Sequence, residues 1–115
     1  MLNGDKTNSI LVFFNYDSHR LSITAKEKLD NLIFTSIKTD SDPIIIYGHT
    51  DTKGSKKYNL ILSEQRALSV SKYLRKKGIN NKLIIKSYGE DYPLIITGDN
   101  VEEENNRRVE VIINN

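Results

Sequence analysis

The sequence contains no cysteine, and no stretch of it is apolar for the length needed to cross a membrane. The missing cysteine excludes disulfides, thiolate chemistry, cysteine-based zinc sites and a lipidated N-terminal cysteine within this chain. It does not fix the compartment, because a periplasmic domain can also lack cysteine. The opening stretch, MLNGDKTNSI, does not have the build of a secretory signal. Two expectations follow: a cytosolic protein, or a domain of a longer protein whose targeting segment lies elsewhere.

A strong charge of either sign is also missing. Seventeen Lys and Arg against fifteen Asp and Glu leave a formal charge of +2, too little to imply a nucleic-acid partner. The short basic runs at 56–57 and 75–77 read as solvated helix faces. What is present is ordinary for a globular domain: 115 residues, 37% hydrophobic and 28% charged, enough for one domain with a core of its own.

The chain is expected to divide into a polar lead over 1–9 and a single domain over 10–115. ILVFF (10–14) is a continuous run of strand formers. After the polar loop NYDSHRLS, Thr24 and Glu27 stand at capping-box spacing and open a helix through about Lys38. Ala25, Leu29, Leu32, Ile33 and Ile37 form its apolar face. TDSDP turns the chain into a second strand, 43–47. A longer helix is expected over 57–77, with Leu60, Ser63, Ala67, Val70 and Leu74 in one stripe and Gly78 as its stop. Strands over 82–87 and 109–113 flank a long loop, GEDYPLIITGDNVEEENNRR. The order βαβαββ predicts an α+β two-layer sandwich, with two helices on one face of a mixed four-stranded sheet. The right-handed crossover rule makes the first and second strands parallel, and likewise the second and third, if they are neighbours.

The second strand runs straight into GHTDTKG (48–54), a polar loop between glycines. Several chemistries compete for it. His49 and Asp51, with His19 from the first loop, are too few and too loosely spaced for a convincing metal set. Ser63, His49 and Asp51 would make a hydrolytic triad on paper, but no nucleophile-elbow motif supports it. Asp17 and Asp51 would suit acid–base work only if they met in space. The loop also misses the phosphate-loop pattern, because Ser55 follows its second glycine. What remains is a holding site with charges of both signs. Asn59, Ser63 and Arg66 share one face of the long helix, part of which must be buried. Arg66 then either forms a structural ion pair with Asp51 or Glu64, or binds a ligand.

Four segments settle the reading toward a known family. YGHTDTKGSKKYNLILSEQRALSVSKYLRKKGI (47–79), SYGEDYP (87–93), NRRVEVII (106–113) and VFFNYDSHRLS (12–22) occur in family order and spacing. Together they resemble the peptidoglycan-binding OmpA-like domain, found in outer-membrane protein A, the peptidoglycan-associated lipoprotein and the stator protein MotB. The resemblance runs from about Ile10 to Ile113. It implies a non-catalytic module that binds the peptidoglycan peptide stem through diaminopimelate, whose side chain ends in an ammonium and a carboxylate on one carbon. Asp51 and Arg66 match the family's key acid and base, an anion and a fork-shaped cation held apart. Tyr16, Asp17, Lys53, Asn59 and Leu62 match further contacts, and Arg108 a supporting one that braces the site. His49 shapes the loop, Glu90 and Pro93 are architectural, and Gly48, Gly54 and Gly89 serve turns.

Lys53 stands where some members have Arg, which keeps the charge and loses the fork. The resemblance implies no cofactor, no metal and no catalytic residue. It implies peptidoglycan as the partner, a periplasmic location, and a membrane-anchored parent whose branch the chain does not reveal. A homodimer stays open, as does the alternative of an OmpA-like protein-interaction or self-association module without wall binding.

Overall fold

The computed structural model describes residues 7–114. Four strands, β1 (Thr7–Phe13), β2 (Ile44–Gly48), β3 (Leu83–Ser87) and β4 (Arg108–Asn114), and two helices, α1 (Ile23–Ser36) and α2 (Lys56–Lys76), follow in the order βαβαββ. The sheet order is β1-β4-β2-β3. β2 and β3 pair in parallel, while β4 pairs antiparallel with both β1 and β2. The fold is therefore the expected α+β sandwich with a mixed sheet, and the β2–β3 crossover is the expected parallel one. β1 and β2 are not neighbours, because β4 has inserted between them.

β1 begins at Thr7, inside the stretch read as a polar lead; the rest of that lead, 1–6, lies outside the described residues. Thr7–Ser9 are drawn into the ladder because β4 runs on to Asn114 and offers them partners.

Alternation sorts the strands by face. Val12, Ile44, Ile46, Val109, Val111 and Ile113 turn to the helices and are fully buried. Each such side chain contributes about 1.5–3 kcal/mol of transfer free energy. Ala25, Leu29 and Leu32 of α1 close this core, with Ile33 and Ile37 packed at its margin.

The N-cap of α1 lies two residues before Thr24. Ser22 is the N-cap, its Oγ accepting from Ala25 N–H at 3.0 Å. The helix ends at Ser36, and Ile37 is already extended. Ser55 caps α2 in the same way, accepting from Tyr58 N–H. At its other end Gly78 takes φ +87°, and Ile79 N–H returns to Leu74 C=O at 3.1 Å, the helix stop expected of this glycine.

Along α2 the buried stripe is Asn59, Leu62, Ser63, Arg66, Ala67, Val70 and Leu74. Leu60 does not belong to it and is 51% exposed. Asn59 takes the inward position instead, for a reason that belongs to the site.

Gly48 brings α2 onto the sheet. A Cβ there would stand 2.0 Å from Ser63 C=O, so the strand end and the helix backbone touch. Its role is this close approach rather than a turn, whereas Gly54 and Gly89 do adopt positive φ, at 90° and 56°.

Candidate ligand-binding site

Gly48 ends β2 against α2, so the β2–α2 loop (49–55) emerges beside the β1–α1 loop and the first turns of α2. Between them lies a cleft of about 480 Å³. Tyr16, Asp17, Asp51, Lys53, Asn59, Leu62 and Arg66 all line it, with Gly54, Ser55 and Tyr58. Seven of the eight residues singled out by the resemblance thus meet in one place. The eighth, Arg108, does not line it.

Arg66 is 0% exposed, yet it forms no ion pair with Asp51 or Glu64 among the described residues. Its Nε donates to Ser18 C=O at 2.8 Å, Nη1 to His49 C=O at 3.0 Å and Nη2 to Asn15 C=O at 3.2 Å. The guanidinium also lies over the Phe14 ring at 5.3 Å. Three carbonyls from two loops are thereby gathered around one cation. Burial lowers its pKa to about 10, with Asp51 pulling the other way, so it stays charged at neutral pH. Two of its five N–H groups make no hydrogen bond among the described residues.

Asp51 is pinned by other partners. Its Oδ1 accepts from Lys53 N–H at 3.2 Å, and Oδ2 accepts from Glu103 N–H at 3.1 Å and Arg107 Nη1 at 3.3 Å. The side chains of Arg107 and Asp51 are only 14% and 5% exposed. Arg107 Nε in turn donates to Phe14 C=O at 3.0 Å.

Arg107, missed from sequence, is therefore the arginine of the NRRV motif that braces the acid. Arg108 braces the neighbouring loop instead, donating to Asn106 C=O at 3.3 Å and Tyr92 C=O at 2.8 Å. The two arginines are adjacent, and only the register of β4 decides which side each serves.

Asn59 explains its inward position. Its Nδ2 reaches Asp51 C=O, Lys53 C=O and Glu90 Oε1 at 3.2, 3.1 and 2.9 Å. One side chain holds the loop in shape, and Glu90 is the architectural partner expected. Across the cleft Tyr58 donates its hydroxyl to Asp17, which sits at φ +51°. Both side chains line the cleft together with Arg66. The long loop also proves structural: Asn100 and Val101 bond to Thr52, and Asn100 Oδ1 accepts from Gly54 N–H.

Neither the hydrolytic triad nor the metal set is assembled among the described residues. Ser63 Oγ donates to Leu60 C=O and accepts from Gly89 N–H, while Asp51 is taken up as described. His19 meets Ser69 rather than His49. Among the described residues no group of three His, Asp or Glu is placed to hold a metal. His49 is 4% exposed, and its Nδ1 has no hydrogen bond among the described residues. Burial, helped by Arg108, lowers its pKa to about 4.

The model of the OmpA family matches residues 13–107. The chain belongs to the OmpA family. It is 37% identical over 110 residues to an outer membrane protein of Gluconacetobacter diazotrophicus, covering 90% of this chain and 29% of that protein. It is 35% identical over 100 residues to a peptidoglycan-associated lipoprotein of Pseudomonas putida, covering 86% of the chain and 60% of that protein. The chain thus spans less than two thirds of the length of these relatives. Among solved structures, the OmpA-like domain of FopA1 from Francisella tularensis superposes with a TM-score of 0.79 at 25% identity, covering 97% of this chain and 75% of that one. The C-terminal domain of Helicobacter pylori MotB gives 0.72 at 28% identity, covering 88% and 81%.

Proposed function

We propose that this domain is a non-catalytic, periplasmic module that binds the peptide stem of peptidoglycan and tethers a larger, membrane-anchored envelope protein to the cell wall. The observation that carries the reading is the cleft itself: Asp17, Asp51, Lys53 and Arg66 line one cavity. Two acids and two bases suit a ligand group that carries both signs at once. The free end of diaminopimelate is such a group. Its ammonium faces Asp51 and Asp17, and its carboxylate faces Lys53 and the two remaining N–H groups of Arg66. Tyr16 and Leu62 cover the aliphatic stem between them. The relatives named for association with peptidoglycan support the same polymer as partner.

The charged groups are positioned before any ligand arrives. Arg66 is fixed by three carbonyls and Asp51 by two amides and a guanidinium, so little ordering entropy is lost on binding. The Tyr58–Asp17 bond is the exposed one, and it yields as the ammonium enters.

Sedimentation with purified sacculi tests the reading. Wild-type protein pellets with diaminopimelate-type sacculi and much less with lysine-type sacculi, whose lysine lacks the side-chain carboxylate. Asp51→Asn and Lys53→Ala stay in the supernatant while keeping the wild-type circular dichroism spectrum. Equal sedimentation of wild type and folded Asp51→Asn would overturn the assignment.

A further inference from the structure

The opposite face of the sheet carries a second cleft that the peptide-stem reading does not use. Residues alternating with the core, Tyr47 of β2 and Glu110 and Ile112 of β4, turn away from the helices and pair across the ladder, Tyr47 opposite Glu110. With His49, Tyr88, Tyr92 and Arg108 they line a cavity of about 520 Å³. Tyr47 and Tyr88 stack at 5.6 Å with 16° between their planes, and Tyr92 meets Tyr88 edge-on at 4.7 Å. Half of the six tyrosines in the chain are gathered here.

Polar groups without a protein partner converge on the same cleft. Among the described residues, the hydroxyls of Tyr47, Tyr88 and Tyr92 and the carboxylate of Glu110 make no hydrogen bond to protein. Of the same lining, Arg108 Nε and His49 Nδ1 are buried and also without a hydrogen-bond partner among the described residues. Both side chains are at least nine-tenths buried, Arg108 at 5% and His49 at 4% exposure. Buried polar atoms left in this condition are uncommon and costly.

The balance of charge narrows the ligand. His49 is neutral, so Arg108 and Glu110 are the two charges lining the cleft, and they offset each other. A free cation would meet the guanidinium and a free anion the carboxylate. A neutral ligand rich in hydroxyls, with one flat apolar face, meets neither difficulty.

The geometry points to a carbohydrate subsite: the tyrosine cleft binds a neutral pyranose ring, stacking its C–H face on Tyr92 while its hydroxyls bond to Glu110 and Arg108. A hydroxyl both donates and accepts, so one ring serves an acceptor such as the Glu110 carboxylate and a donor such as the guanidinium. The cleft stands independently of the Asp51 site. That its natural ligand is the glycan of the same cell-wall polymer rests on the peptide-stem reading. His49 joins the two, since its carbonyl holds Arg66 while its ring lines the tyrosine cleft.

The test uses the whole chain and a soluble trimer of N-acetylglucosamine, which carries no peptide. Backbone-amide and tyrosine-ring NMR resonances of Tyr88, Tyr92 and Glu110 shift saturably as it is added. Tyr92→Ala binds about tenfold more weakly, the loss expected for one aromatic platform. Tyr92 is 61% exposed, so this variant keeps its fold. Asp51→Asn binds the trimer as wild type does, whereas a sugar-free stem peptide shows the reverse dependence. The proposal fails if the trimer gives no saturable shift, if Tyr92→Ala leaves its affinity unchanged, or if the shifts centre on Asp51. It also fails if tetramethylammonium occupies the tyrosine cleft and the trimer does not.

Discussion

The carboxylate of Asp51 faces the guanidinium of Arg107 at 3.3 Å, and Arg66 instead gathers the carbonyls of Asn15, Ser18 and His49. The acid and the base of the cleft are thus held apart by separate partners and do not neutralise each other. The proposed binding of a ligand carrying both charges requires that separation.

Arg107→Met removes the partner of a nearly buried carboxylate. Breaking such a pair from one side costs roughly 3 kcal/mol, and Asp51→Asn in the same chain recovers part of it, because no charge is then left uncompensated. Urea unfolding of the two single variants and the double variant measures the coupling; strict additivity would contradict the pairing.

Arg66→Lys keeps the charge and loses the fork. A single ammonium does not span three carbonyls from two loops, so the β1–α1 loop loosens. Amide hydrogen exchange accelerates at Asn15–Ser18, and sacculus binding drops even though the substitution conserves charge. Exchange unchanged from wild type would show that the carbonyl contacts do not hold the loop.

Gly48→Ala places a methyl group 2.0 Å from the Ser63 carbonyl. Backbone on both sides must move, and the expected cost is at least about 2 kcal/mol. Gly98→Ala is the control, since a Cβ there meets nothing within 4 Å. Thermal unfolding separates them, with Gly98→Ala near wild type.

His49 makes stability depend on pH. Its folded pKa is about 4, against 6.5 for the free side chain, so between these values the unfolded chain binds the extra proton. The stabilisation is complete above about pH 6.5 and is lost as pH falls toward 4, roughly 3 kcal/mol in total. His49→Gln flattens the unfolding free energy over that window. An equally steep profile in the variant would assign the proton elsewhere.

Much of this architecture was legible from periodicity. The apolar runs became β1 and β2, the three-and-four spacing became the buried faces of both helices, and Gly78 ended α2. Local ambiguities produced the small errors. Ser22 and Thr24 each carry a hydroxyl near the same turn, and only the backbone path shows that Ser22 is the cap. Leu60 and Asn59 are adjacent, and hydrophobicity favours the leucine; three loop acceptors put the asparagine inside. The resemblance marked the cleft residues, but neither it nor the sequence paired Asp51 with Arg107, 56 positions away. That contact depends on an irregular loop, where no period carries information. The tyrosine cleft was equally hidden, since it forms only where β2, β4 and the segment after β3 come together.

The place of β1 in the sheet has a mechanical consequence. Thr7 and Phe13 are its two ends, and every residue between them is registered against β4. The chain that leaves Phe13 forms the rim of the cleft, where Asn15 and Ser18 grip Arg66. Under the proposed function, tension between the Thr7 end and a wall polymer seated in that cleft runs along the strand, across the direction of its hydrogen bonds. The rungs of the ladder share the force and slide together, where pulling from one end alone would part them in sequence.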